Sequence, residues 1–79
     1  MNDMVNHPLH YMQSQRETID EMVILFGYEA TINFCTLNAY KYKCRALYKG
    51  KMEEDFKKAD WYISKAAELQ NAMRGLKYG

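Results

Sequence analysis

Apolar positions along this chain recur at helical spacing in three runs, and glycines separate the runs. Ile19, Met22, Val23 and Phe26 form the first, and Gly27 follows them as a left-handed stop. Ile32, Cys35, Ala39, Tyr42 and Ala46 form the second, ahead of Gly50. Phe56, Ala59, Ile63, Ala66 and Gln70 trace the third, with Leu69 and Met73 beside it. Ser14-Gln15-Arg16-Glu17 has the S-x-x-E form of a capping box, in which the serine hydroxyl and the glutamate carboxylate satisfy free backbone donors. Glu53, Glu54 and Asp55 suit the positive end of a helix dipole. The pattern predicts helices over about 15–26, 29–48 and 52–75. No strand-like alternation, internal repeat or low-complexity stretch interrupts it. The expected fold is all-α: one three-helix domain over 1–79, its second and third helices an antiparallel hairpin.

Ahead of these runs, residues 1–14 are expected to form an extended strap. Pro8 locks its own φ and pushes His7 toward an extended conformation, so His7, His10 and Tyr11 sit on a stiffened segment.

Composition changes the picture in one respect. A chain of 79 residues hides a small share of its surface on folding, yet this one carries seven tyrosines, six methionines and a tryptophan. So large an amphipathic load on a thin core predicts self-association. Cys35 and Cys44 lie nine residues apart, roughly 13 Å along one helix, which excludes a disulfide between them there. They read as reduced thiols in core or interface positions, and a zinc site built from His7, His10 and a cysteine lacks any ligand spacing, so no metal site is expected. No apolar run has the length of a membrane span and no leader sequence is evident, so the expected location is the cell interior. Net charge is only +1, which makes general nucleic-acid binding a poor reading, but Lys41, Lys43, Arg45, Lys49 and Lys51 follow one another without an intervening acid.

That basic run supplies the candidate chemistry. Phe34, Asn38, Lys41 and Arg45 share a helix face distinct from the apolar stripe. An amide with two cations a turn apart suits the base edge and phosphate of one nucleotide, while the plainer alternative is a solvated face pairing with Asp20, Glu21 or the third helix. His7 and His10 offer donors to an anion and Tyr11 a stacking surface; equally, they could cap the core. Glu17 and Asp20, nearly one turn apart, could hold magnesium, or act as dipole partners. Asp55, Lys58 and Tyr62 share a face of the third helix, with Lys58 able to join the basic face and Asp55 to orient Arg45 or Lys41; an ordinary hairpin salt bridge is the plainer alternative. Trp61 reads as a core anchor or as the centre of an oligomer contact. No G-x-x-x-x-G-K-[ST], G-x-S-x-G, H-E-x-x-H or C-x-x-C motif occurs; the basic second helix leaves a helix-turn-helix open, although with Tyr40, Tyr42 and Tyr48 it lacks a strong reading pattern.

Taken in order, "N-H-P-x-H-Y" from Asn6, the segment with Glu17 and Ile19-Asp20, "N-x-x-K-Y-x-x-R" from Asn38 and "D-x-K-K-A-x-W-Y" from Asp55 resemble the small bacteriophage domain DUF3310, over Val5 to about Ile63. The family is mostly without assigned activity, and a related domain occurs in a coliphage protein described as a nucleotide kinase. The resemblance carries over to Asn6, His7, Pro8, His10, Tyr11, Asn38, Lys41 and Tyr42, and further on to Arg45, Asp55, Lys58, Ala59 and Tyr62. The chain departs from the family pattern at Lys43 and Cys44, where apolar residues are more usual. The resemblance implies phage nucleotide biology in the host cytoplasm. The leading expectation is a homo-oligomer binding a phosphorylated nucleotide through His7, His10, Tyr11, Asn38, Lys41, Arg45 and Lys58, with removal of a host defence signal as a candidate role. Two alternatives stand beside it. One is a nucleotide monophosphate kinase with magnesium on Glu17 and Asp20, which the missing phosphate loop disfavours; the other is an inhibitor or adaptor that binds a host protein.

Overall fold

The computed structural model describes residues 8–48 and 50–78, with side chains over 15–48 and 50–76. Three helices follow in order: α1 (Pro8–Phe26), α2 (Tyr28–Ala46) and α3 (Met52–Tyr78). None of them is long and apolar enough to cross a membrane.

The first helix departs from expectation at its start. It begins at Pro8, so residues 8–14 are helical rather than part of an extended strap, and Ser14 to Glu17 lie inside α1. Proline lacks only an N–H that a helix's first turn leaves unpaired, and its fixed φ suits that position. The six residues after it contain no helix breaker. Residues 1–7, with His7, lie outside the described residues. The second helix ends at Ala46, two residues short of the expected Tyr48, and α3 runs past Gly75 to Tyr78.

A single residue joins α1 to α2. Gly27 adopts φ 94°, a conformation that side-chain-bearing residues rarely take, and its amide closes α1 on the Val23 carbonyl at 2.9 Å. The Thr31 hydroxyl then donates to the Gly27 carbonyl at 2.8 Å, so this buried threonine ties the corner to the first turn of α2. At the other end Gly50, with φ 78°, turns the chain into α3, whose first turn is acidic as expected.

α2 and α3 form the expected hairpin, and its seam follows the 3.5-residue period of a coiled coil. On α2 the inward line is Tyr28, Ile32, Cys35, Ala39, Tyr42 and Ala46, which contains the predicted stripe. On α3 the inward line is Asp55, Ala59, Tyr62, Ala66, Leu69 and Met73. The third predicted stripe is therefore displaced by one position at Phe56 and Ile63, which are 37% and 43% exposed, and at Gln70, also exposed. One residue is a rotation of about 100°, and two of the inward places go to residues with polar ends. Ile19 anchors α1 on this core, fully buried against the hairpin, with Met22 and Val23 partly covered beside it.

Candidate functional site

Where the hairpin approaches its turn, its core changes character. Tyr42 of α2 and Tyr62 of α3 stack with ring centroids 6.0 Å apart and planes 9° from parallel. Phe34 and Trp61 meet Tyr62 edge-on at 6.1 and 5.1 Å. The Tyr62 hydroxyl accepts a hydrogen bond from Gln15 Nε2 at 2.8 Å, which ties α1 to α3 at this level. A buried phenol needs such a partner, so Tyr62 holds an inward position that hydropathy alone assigns to Ile63.

Cations from both helices surround the tyrosine pair. Lys41 Nζ and Lys58 Nζ lie 5.4 and 5.5 Å from the centroid of the Tyr42 ring, within the range of cation–π attraction. Arg45, one turn beyond Lys41, faces Asp55 across the hairpin with Nε 3.6 Å from Oδ2. That spacing is an ion contact, longer than a hydrogen bond, and Oδ2 is buried without a hydrogen-bond partner. Asp55 is 1% exposed while the Arg45 side chain is half exposed. A buried carboxylate is costly without a nearby positive charge. Asp55 also sits in the first turn of α3, where the helix dipole favours it. The carboxylate thus holds the Arg45 guanidinium at Nε, while half of the arginine side chain stays exposed.

The structure brings Lys41, Arg45 and Lys58 together on one flank of the hairpin, and half-buried Asn38 lies nearly one turn before Lys41 on α2. His10 and Tyr11 lie on α1, five and four residues before Gln15, which puts their backbone about 6–8 Å further along the helix axis from the Gln15–Tyr62 contact. Glu17 is exposed. Asp20 lies 4.0 Å from Lys65 Nζ, and the same ammonium sits 3.1 Å from Glu68. Among the described residues, no three histidine, cysteine, aspartate or glutamate side chains group as a metal site. Sequence reasoning misses Gln15 and Lys65. The capping-box pattern marks Gln15 as a helix start rather than a contact residue, and nothing in the local pattern marks Lys65 as a lysine only 9% exposed.

Both cysteines are free thiols on α2, Cys35 buried and Cys44 half-buried. Burial raises the Cys35 pKa above its ordinary value, opposed by the charge of Lys65. The Tyr40 phenol is held above its usual range chiefly by its hydrogen bond with Cys44. Tyr40 belongs to the opposite flank of the hairpin, where a groove of about 420 Å³ runs over Ala39 and Ala66 between Tyr40, Lys43 and Ile63. Asn38, Lys41, Arg45 and Lys58 do not line that groove.

The tyrosine pair, the cations and the buried aspartate all fall within the two helical motifs that suggested a family. A family model described as a protein of unknown function, DUF3310, matches residues 5–64. The chain belongs to the DUF3310 family. The match includes every residue of the cationic flank and ends part-way along α3, so Lys65, Leu69 and Met73 lie beyond it. No curated protein and no solved structure matches the chain.

Proposed function

We propose that this DUF3310 protein binds a phosphorylated nucleotide on the flank formed by Asn38, Lys41, Arg45 and Lys58. The observation that carries the reading is the convergence of cations from two helices, Lys41 and Lys58 on opposite helices within 5.5 Å of one tyrosine ring, with Arg45 a turn away and oriented by Asp55. Three positive groups with separate tethers suit the several oxygens of a phosphate chain. Asn38, nearly one turn before Lys41, offers a donor and an acceptor to a base edge. His7 and His10 add phosphate contacts, and Tyr11 stacks on the base. In the host cytoplasm during phage infection, the protein sequesters or processes the nucleotide, which includes withdrawing a defence signal from the host.

Mass spectrometry of small molecules released from the purified, denatured protein tests this reading, followed by calorimetry with nucleoside mono-, di- and triphosphates and cyclic dinucleotides. Stoichiometric binding is expected, and Lys41→Ala or Lys58→Ala should weaken it by about 1.5–3 kcal/mol, the range of a hydrogen bond to a charged group. A wild-type protein that binds none of these ligands defeats the proposal. Magnesium-dependent turnover of ATP that disappears in Asp20→Asn replaces it with the kinase reading.

A further inference from the structure

The hairpin has two broad faces, and among the described residues α1 covers one of them. α1 lies against the face that presents Tyr62 and Lys65, which it meets through Gln15 and Asp20. The other face holds the groove of about 420 Å³, floored by Ala39, Ala66 and Ala67 and walled by Tyr40 and Ile63. Leu47 and Phe56 continue the two walls toward the turn, each seven residues from its neighbour and so on the same side of its helix. These four large side chains are exposed, Tyr40 and Leu47 to 69% each. A surface helix shows solvent a polar face, whereas two apolar lines around a groove of small residues mark a contact surface. The stripe from Phe56 to Gln70, which hydropathy assigns to the core, runs along it.

We propose that a second copy of the chain covers this face. The two hairpins pack about a two-fold axis parallel to the helices, each α2 against the partner's α3, with both α1 helices outside. Chemical matching supports this arrangement. Tyr42 stacks on Tyr62 and Arg45 meets Asp55, so Leu47, Lys43, Tyr40 and Thr36 stand level with about Phe56, Asp60, Ile63 and Ala67. In the dimer, therefore, Leu47 meets the partner's Phe56, and Tyr40 meets the partner's Ile63. Lys43 meets the partner's Asp60 between those two apolar layers. Among the described residues, neither Lys43 nor Asp60 takes part in a salt bridge within its own chain. Toward the open end Asn33 reaches the partner's Gln70, and Glu29 the partner's Arg74. Apart from the layer of Thr36 and Ala67, where the threonine hydroxyl is already bonded to the Ile32 carbonyl, each layer sets apolar against apolar, amide against amide, or acid against base. Reversing one hairpin end for end would instead lay α2 on α2 and α3 on α3. Leu47 would then cover Asn33, and Phe56 would cover Gln70, burying amides against apolar groups at a cost. The matched face is about 27 Å long and two helices wide, which brings the interface to the lower part of the range for specific contacts, roughly 1,200–2,000 Å² in total. The cationic flank stays outside it, so this proposal and the nucleotide reading fail independently.

Sedimentation of the full chain across a wide concentration range tests the proposal. A monomer–dimer equilibrium is expected, with Ile63→Glu raising the dissociation constant by roughly a hundredfold because a carboxylate would be buried against Tyr40. Circular dichroism should report unchanged helix content in that variant, since the position is already partly open to solvent in the single chain. Charge exchange tests the pairing on exposed residues that leave the fold intact. K43E alone and D60K alone should each weaken self-association by roughly tenfold, and mixing the two variants should restore it, because both cross-chain pairs regain opposite charges. Cross-linking tests the direction. In a Cys44→Ser background, Tyr40→Cys mixed with Ile63→Cys should give a reducible dimer containing one chain of each, while Tyr40→Cys alone should not link to itself. A monomer at every concentration, a dimer indifferent to Ile63→Glu, a K43E and D60K mixture no tighter than either variant, or self-linking of Tyr40→Cys would each overturn the proposal.

Discussion

The two ends of the α2–α3 hairpin are built from different materials. At the open end Ile32, Leu69 and the partly buried Met73 make a mainly aliphatic core, with Tyr28 partly buried beside it and Ile19 of α1 packed on it. Near the turn the same seam holds Tyr42, Tyr62 and a buried aspartate, edged by Lys41, Arg45 and Lys58. An aliphatic core gains stability simply by leaving water, whereas each polar group at the other end needs a partner to offset its desolvation. The aliphatic end therefore holds the helices together. The polar end gives one flank a fixed set of charges.

The largest expected effect probes the aliphatic end. Leu69→Ala deletes most of a buried side chain and should lower stability by about 2–4 kcal/mol in urea unfolding. A loss below about 1 kcal/mol, on the scale of a surface substitution, would mean that the open end is not the structural half.

Next comes the buried charge. Arg45→Ala removes the cation facing Asp55 and should cost about 1–3 kcal/mol, although the arginine side chain is half exposed. A ligand-binding role alone would leave stability unchanged. The decisive form is the double variant: Asp55→Asn in the Arg45→Ala background should recover most of the loss, because the uncompensated carboxylate is gone. Strictly additive losses would show that the two residues do not act as a pair.

A smaller change is expected from Tyr62→Phe, which removes the acceptor for Gln15 Nε2 while keeping the stacked ring. The expected cost is about 1 kcal/mol, measured by chemical denaturation. Gln15→Ala in the Tyr62→Phe background should then add little, and a full second loss would place Gln15's contribution elsewhere.

Cys35, in the core between the two ends, gives the mildest test. Its thiol is raised above the ordinary value of 9.0 by burial. The unfolded chain therefore ionises first as pH rises, so the folded state loses stability as pH climbs above the ordinary thiol value and keeps it below. Cys35→Ala should flatten that alkaline slope. Thiol labelling of the native wild type at neutral pH should modify half-buried Cys44 well before buried Cys35, and equal rates would contradict the burial.

Much of this arrangement is legible in the sequence. Helical spacing and two glycines locate the three helices, and the stripe from Ile32 to Ala46 names the inward face of α2 because every member of it is apolar or aromatic. Asn38, Lys41 and Arg45 can be placed together because they share one helix, where spacing alone sets the face. The convergence of Lys58 with Lys41 on the Tyr42 ring cannot be read with the same certainty, since it depends on how two helices are rotated against each other.

Local periodicity, glycine at the two corners and motifs read along the chain are enough to set the all-helical character, the hairpin order and the family. Tertiary structure decided which line of α3 faces inward. Phe56 and Ile63 are the more hydrophobic choice, yet Asp55 and Tyr62 hold the seam because Arg45 and Gln15, ten and 47 residues away, stand where they can meet them. A polar side chain is costly to bury only while it lacks a partner, and that partner exists only once the helices have packed.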